Sequence, residues 1–469
     1  MHPEFDLTMK RLESCGQSHV LSGWQDLDPA RQRALLDCVC SLPLESLQGL
    51  VEQFVLVHDH EVEAKDISPP DVTAPDVETT LALAQRGEEI IREGRVAAFT
   101  VAGGQGTRLG WGGPKGTYPA TPVSGKPLFR VFAEQIEAAS RYWKTPIRWY
   151  IMTSEINDAA TRSFFADNNW FGLPRTQVML FPQGMMPCFD AQSGDLLMET
   201  SDRLAMSPDG HGGSITALHR SGALEQMTVL GIDTISYFQV DNPIAPVIDP
   251  VFIGLHADPS MSSGEMSSKM VPKIEPDEKV GVFCKVGDRM EVIEYSDMPE
   301  DLQVARDPQG RLLYDAGNIA VHLLGVDFAQ RLCASDELPW HRALKKVPCV
   351  HQATGEHIKP DTPNGVKLER FIFDALPLAS RSAVLQVDRA REFAPIKNAV
   401  GEDSPASCRQ AQSDLYGGWL DARGVDIARD EQGHVLADIE ISPLTAMGPE
   451  FLDPSDLPEA IGPGDRILL

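Results

Sequence analysis

The stretch "VAGGQGTRLGWGGPKGTYP", Val101 to Pro119, sets seven glycines around one arginine, Arg108, and one lysine, Lys115. It follows an apolar run, "RVAAFTV". Glycines at the end of a strand let backbone N–H groups approach a bound anion. Arg108 and Lys115 then add the side-chain charge that binds phosphate oxygens. Two familiar alternatives fail on spacing. No G-x-x-x-x-G-K-[ST] is present, because Pro127 follows Gly125-Lys126 where Ser or Thr is needed. Gly104, Gly106 and Gly110 give G-x-G-x-x-x-G, one residue longer than the dinucleotide fingerprint, with no acidic residue about twenty positions on. A phosphate-cradling loop remains, beside the plain reading of a glycine-rich surface turn.

Other candidates sit at the ends of further apolar runs. Asp241 in "QVDN" follows "TISYFQV". A hard carboxylate oxygen there suits Mg²⁺ (or Mn²⁺) shared with a phosphate; it could equally cap a turn before Pro243. Gln183 in "FPQG" carries an amide that can donate and accept along one edge of a base. Ser214, after Gly213, reads as the N-cap of a helix that Gly231 closes. No Ser-His-Asp signature, HExxH motif or pair of catalytic carboxylates competes with these.

The elements that must position these residues show two rhythms. Up to about residue 95 the pattern is helical. "DPARQRALLDCVCSLPLESLQGLVEQFVL" has apolar residues at helical spacing, with Asp28 as N-cap and Pro29 at the first helical position. After it, "VAAFTV", "IRWYIMT", "QVMLFP" and "TISYFQV" are short, nearly continuous apolar runs separated by helical stretches. That alternation predicts an α/β fold with a parallel sheet buried on both faces. In such a sheet, ligands bind at the carboxyl ends of the strands. From about Met261 the pattern is mixed, and "VGVFCKVGDRMEVIEYS" predicts a hairpin turning at Gly287-Asp288. The predicted organisation is a helical region at 1–95, an α/β domain at 96–400 and a small acidic module at 401–469.

With 469 residues and a formal net charge of −27, the chain is a poor partner for nucleic acid or an anionic membrane, which call for basic surfaces. No apolar stretch is long enough to span a bilayer, and the N-terminus lacks the basic-then-apolar pattern of a secretory signal. The eight cysteines are scattered, with no C-x-x-C, so neither a disulfide framework nor a zinc site is expected. A cytoplasmic protein, monomeric or weakly self-associating, is expected.

The glycine loop resembles the nucleotide-binding loop of the eukaryotic-type UDP-sugar pyrophosphorylases, and the resemblance extends well beyond it. "MTSEINDAATRSFFADNNWFGL", "FPQGMMPCFD", "SPDGHGGSITAL", "QVDNPIAPVIDPVFIG", "EVIEYSDMP", "DAGNIAVH", "PNGVKLERFIFDALP" and "EFAPIKNA" follow in the family's order, with "DIEISPLTAMGPEFL" near the end. The match runs from about Leu81 to Leu452. It implies a Rossmann-like, glycosyltransferase-A-type mixed sheet core, and a reaction joining UTP to a sugar 1-phosphate with release of pyrophosphate. The branch that uses N-acetylglucosamine 1-phosphate is the most similar.

The resemblance also implies roles. Ala102, Gly103 and Gly104 would meet the nucleotide, and Arg108 and Lys115 its phosphates. Gln183 and Gly210 would meet the uracil or ribose. Asp241 would hold the metal ion, and Lys367 and Lys397 would contact phosphates, Lys397 on the sugar side. His211, Glu294, Tyr295 and Asn318 would contact the sugar. His211 departs from the N-acetylglucosamine branch, which reads Asn there; "GHGD" belongs to glucose-using relatives. A glucose- or galactose-1-phosphate enzyme, or one of broad specificity, is therefore the first rival. A UTP- or UDP-sugar-binding protein without turnover is the second.

Overall fold

The four apolar runs become four adjacent parallel strands. The computed structural model describes residues 4–42, 44–56, 66–351 and 355–469. Among these, ten strands make the main sheet: β1 (Ile67–Ser68), β2 (Val96–Val101), β3 (Arg148–Thr153), β4 (Val178–Pro182), β5 (Thr234–Gln239), β6 (Met266–Pro272), β7 (Val282–Val286), β8 (Arg289–Ile293), β9 (Ala316–Gly325) and β10 (Ala383–Gln386). The order is β1-β7-β9-β5-β2-β3-β4, with β8 on β7 and β6 lying between β9 and β10. The strands β5-β2-β3-β4 are all parallel, whereas β9 runs antiparallel to β5, β6 and β7. The sheet is therefore mixed. Its parallel half is the one legible from buried runs: Phe99, Trp149, Tyr150, Tyr237 and Phe238 are all fully buried. Trp149 satisfies its indole N–H on Thr100 of the neighbouring strand, at 2.8 Å.

The chain forms two units. The first comprises Met1–Ala64, Gln183–Thr216 and Glu337–Ile372. Its helices Phe5–Ser14, Pro29–Cys40 and Leu44–Leu50 bury Leu12, Leu35, Leu36, Val39 and Leu47 together with Phe189, Leu204, Val366 and Leu368. Asp28 caps the second of these helices by accepting from Ala30 N (2.9 Å) and Arg31 N (3.0 Å), with Pro29 at the first helical position. An antiparallel sheet of His341–Lys345, Gly365–Glu369 and Phe189–Asp190 completes this unit.

The second unit, Lys65–Pro182, Ala217–Asp336 and Phe373–Leu469, holds the main sheet. Its helices Val77–Arg92 and Pro250–Ala257 cross so closely that a Cβ on Gly87 would lie 1.8 Å from the carbonyl oxygen of Pro250, and one on Gly254 1.9 Å from that of Leu83. Only glycine fits either position. At the C-terminal end, helix Pro405–Asp421 and the parallel pair Asp438–Glu440 and Arg466–Leu468 enclose a core of Leu420, Val425, Ile439 and Ile461. Glu440, almost fully buried, accepts from Val123 N, Ser124 N and the Ser124 hydroxyl, and so clamps the segment that continues the glycine loop.

The hairpin turns where predicted, between β7 and β8, with Gly287 at φ 59°. The helix predicted from Ser214 to Gly231 is instead two, Gly213–Arg220 and Ala223–Val229, parted at Gly222 with φ 77°. Ser214 is the second residue of the first helix, not its cap, and its buried hydroxyl makes no hydrogen bond among the described residues. No helix among the described residues is long and apolar enough to cross a membrane.

Candidate functional site

Strand β2 is followed by β3 on one side and its other neighbour β5 by β6, beyond β9, on the other, so the connections leaving the carboxyl ends of β2 and β5 run in opposite directions. A crevice at such a reversal is where open α/β sheets bind ligands. The loop after β2 and the loop after β5 both start there. The first is built as a closed arch: Gly106 N donates to Gly113 O (3.0 Å), Trp111 N to Gly106 O (3.0 Å) and Lys115 N to Gly104 O (3.1 Å). Its base is fixed to the sheet, because Ala102 N donates to Met152 O (2.8 Å). Buried Asn157 ties down the same base by donating to Ala102 O (2.9 Å) and Gly104 O (3.3 Å). Around the position of a Cβ on Gly104 the space is open to 4 Å. Arg108 stands exposed on the turn Thr107–Leu109. Lys115 opens a second short turn, Lys115–Thr117, and Gly116 presses on Phe129.

The second loop brings Asp241 to Lys115. The lysine ammonium donates to the carboxylate at 3.0 Å, and both side chains are largely buried. Burial alone would push the Asp241 carboxyl up; the ammonium groups of Lys115 and Lys397 overcome it and hold the group below the usual carboxylate range. Three of the residues singled out from sequence therefore form one electrostatic cluster. Lys397 also pairs with Asp403 at 3.5 Å and lies over the Phe393 ring. Asp403 reinforces this from the backbone, its carbonyl accepting from Lys397 N at 2.6 Å.

Glu294 and Asn318 are brought near each other by β8 and β9. Asn318 N donates to Gly281 O (2.8 Å), and a Cβ on Gly281 would lie 3.1 Å from Glu294 Oε1. Asn318 lies within strand β9, and its side-chain oxygen accepts from Ala320 N. Tyr295, by contrast, is 44% exposed.

Gln183, Gly210, His211 and Lys367 belong to the first unit. Gln183 donates to Asp209 Oδ1 at 3.3 Å, so one of its amide N–H groups is directed into the protein. Gly210 has φ +82°, and a Cβ there would come within 2.4 Å of Arg370 O. His211 stacks on Phe371, which stacks in turn on His341. Its Nδ1 accepts from Ile372 N at 3.1 Å. Burial, with the neighbouring His341, lowers its pKa to about 4. The ring is thus neutral near pH 7 with its proton on Nε2, a donor at that atom. Lys367 lies half-buried on strand Gly365–Glu369, opposite Ala343.

Sequence reasoning passed over the residues that hold the cluster in place. Asn157 in "SEIND" anchors the glycine loop. Asn242, beside Asp241, and Lys269, a lysine in the strand "MSSKMVP", fix the segment leading to Lys397. A charged residue inside an otherwise buried strand was the one visible signal.

Among the described residues, no group of three or more His, Cys, Asp or Glu side chains could hold a metal ion by itself. Asp241 is a single, ionised, oriented carboxylate. That donor set fits Mg²⁺ or Mn²⁺, which takes one or two carboxylates and completes its shell with water and substrate phosphate.

Residues 44–412 match the family described as UTP–glucose-1-phosphate uridylyltransferase. A probable UDP-N-acetylglucosamine pyrophosphorylase of Dictyostelium discoideum is 37% identical over 383 residues, 78% of this chain and 77% of that protein. The UDP-N-acetylglucosamine pyrophosphorylase of Saccharomyces cerevisiae is 35% identical over 87% of this chain and 90% of its own length. The crystal structure of the Trypanosoma brucei uridine diphosphate N-acetylglucosamine pyrophosphorylase superposes with a TM-score of 0.83 at 26% identity, covering 100% of this chain and 99% of that one. With a family match over most of its length and relatives above 30% identity across it, the chain belongs to the UTP–glucose-1-phosphate uridylyltransferase family, the UDP-sugar pyrophosphorylases, and is a nucleotidyltransferase.

Proposed function

We propose that the chain condenses UTP with N-acetylglucosamine 1-phosphate, giving the UDP-sugar and pyrophosphate by direct in-line transfer. The observation that carries this reading is the Lys115–Asp241 pair at the neighbouring carboxyl ends of β2 and β5, with the charge of Lys397 beside it. An acidic chain of net charge −27 needs such a local concentration of cations to bring two phosphorylated substrates together.

A phosphate monoester oxygen is nucleophilic enough near neutral pH that no side-chain nucleophile is required. It forms a bond to the α-phosphorus of UTP while the bond to the β-phosphate oxygen breaks, and pyrophosphate leaves with that electron pair. The protein's work is positioning and charge neutralisation. Gly103 and Gly104 offer backbone to the nucleotide; Ala102, its N–H spent on Met152 O and its carbonyl on Asn157, seats them on the sheet. Arg108 and Lys115 take the outgoing phosphates, Lys367 and Lys397 the transferring and attacking ones. Gln183 and Gly210 receive the uracil and ribose; His211, Glu294, Tyr295 and Asn318 receive the sugar. Asp241 would hold Mg²⁺, which supplies further neutralisation of phosphate charge when bound.

One observation favours a second reading. His211, its Nδ1 held by Ile372 N, stands where the N-acetylglucosamine branch is expected to carry Asn, and that departure makes a plain hexose 1-phosphate the first rival. Pyrophosphate release measured across a panel of acetylated and plain sugar 1-phosphates separates the two; turnover of plain hexoses alone would replace the leading substrate. In the same assay Asp241→Ala and Lys397→Ala should each lose at least about tenfold in kcat, about 1.4 kcal/mol. Near wild-type turnover by either would remove its assigned role.

A further inference from the structure

A lysine without exposed surface persists only when paired. Lys269 on β6 is fully buried, its ammonium 2.6 Å from Asp249 and 2.6 Å from Glu392. Asp249 also caps helix Pro250–Ala257 by accepting from Val251 N. Buried ion clusters of this kind add little net stability; their best attested use is to fix one arrangement of the chain over others.

The arrangement fixed here is a seam between two distant segments. Asn242 Nδ2 donates to the backbone carbonyl of Glu392 at 2.6 Å, and Asn242 Oδ1 accepts from Ala394 N at 3.1 Å. Ile396 N then donates to Asp241 O at 2.9 Å. Residues 241–242 and 392–396 are thus joined by three hydrogen bonds, and the seam leads directly to Lys397. Asn242 is 5% exposed and spends both ends of its amide on backbone. An amide puts its donor and its acceptor on separate atoms, as these two bonds require: Asp lacks the donor, Leu lacks both, and the hydroxyl of Thr carries both on one atom.

We propose that Asn242 is a positioning residue which sets Lys397 opposite Asp241, with the Lys269–Asp249–Glu392 cluster as its anchor. This rests on the reading that Lys397 and Asp241 serve the transfer. Asn242 acts through the backbone that delivers Lys397 and needs no contact with substrate. Its effect on turnover must therefore vanish once Lys397 is gone.

A double-mutant cycle on the full chain tests this, with steady-state pyrophosphate release from UTP, Mg²⁺ and the sugar 1-phosphate that turns over best. Asn242→Ala should lower kcat at least about tenfold in the wild-type background and less than about twofold in a Lys397→Ala background. Equal fold-losses in both backgrounds overturn the proposal, since a general loss of packing acts regardless of Lys397. A wild-type kcat for Asn242→Ala overturns it too. Should circular dichroism show Asn242→Ala unfolded, Asn242→Ser, which keeps one polar contact, runs through the same cycle with the same readings. Full activity of Lys397→Ala would overturn both the site reading and this proposal; a crippled Lys397→Ala with additive Asn242→Ala overturns the proposal alone.

Discussion

Asp241 stays ionised in a largely buried position because Lys115 donates to it at 3.0 Å and Lys397 adds its charge. Each partner of such a pair strands the other when removed. Lys115→Met should therefore destabilise the fold by about 1–3 kcal/mol, the cost of leaving a charged acceptor unsatisfied. Adding Asp241→Asn to it should recover most of that loss. Urea midpoints of the two single variants and the double variant at pH 7 provide the measurement, and strictly additive losses would show that the pair is not coupled. The sign with pH follows from the depressed carboxyl. Its contribution is complete above the unfolded-state pKa of Asp and disappears as pH falls through the lower folded-state value. The penalty of Lys115→Met should accordingly be largest at neutral pH and shrink in acid.

At the scale of elements, the position of Lys115 depends on how its loop meets helix Leu128–Trp143. A Cβ on Gly116 would lie 2.2 Å from the Phe129 ring, and Phe129 is packed against Trp149, Phe164 and Phe165. The ring has nowhere to move, so Gly116→Ala must displace the loop. We expect a loss of about 1–3 kcal/mol in stability from overpacking, and of roughly a hundredfold in kcat/KM from misplacing Lys115. Gly112→Ala, whose Cβ would meet nothing within 4 Å, should keep the wild-type melting temperature. Equal melting temperatures for the two variants would refute the packing argument. The same elements show what the sequence could convey. The parallel strands were legible because strands buried on both faces read as unbroken apolar runs, and the glycine loop because its spacing is local. The antiparallel half was less legible: β9, "AGNIAVHLLG", carries Asn318 and His322 and so shows no unbroken apolar run. Nor could Asn242 be read, because its partner Glu392 is 150 residues away and is met through backbone atoms that leave no trace in residue type.

Over the whole molecule, two charge effects oppose one another on acidification. The net charge is −27 and the sequence pI about 4.8, so lowering the pH relieves self-repulsion and favours the compact state. Buried histidine does the reverse. His256, on helix Pro250–Ala257, is 3% exposed; its Nδ1 is within 2.9 Å of the Ser267 hydroxyl, and its Nε2 has no hydrogen-bond partner among the described residues. Burial lowers its pKa to about 4, against an ordinary value of 6.5. Between those values the unfolded chain binds the extra proton and the folded chain does not, so stability falls as pH falls through this window. From pH 7 to pH 5 the histidine term amounts to about 2 kcal/mol. Carboxyls that are held low act later: Glu265, lowered from 4.5 to about 2, starts to lose its contribution as pH falls below about 4.5 and has lost most of it by about pH 2. Charge relief is common to every variant of equal net charge, so comparison isolates the histidine. His256→Gln retains a polar contact for Ser267 and removes the titration. Its urea-derived stability should fall about 2 kcal/mol less than that of the wild-type chain between pH 7 and pH 5. Parallel curves for the two proteins would mean that His256 becomes protonated without unfolding the fold around it.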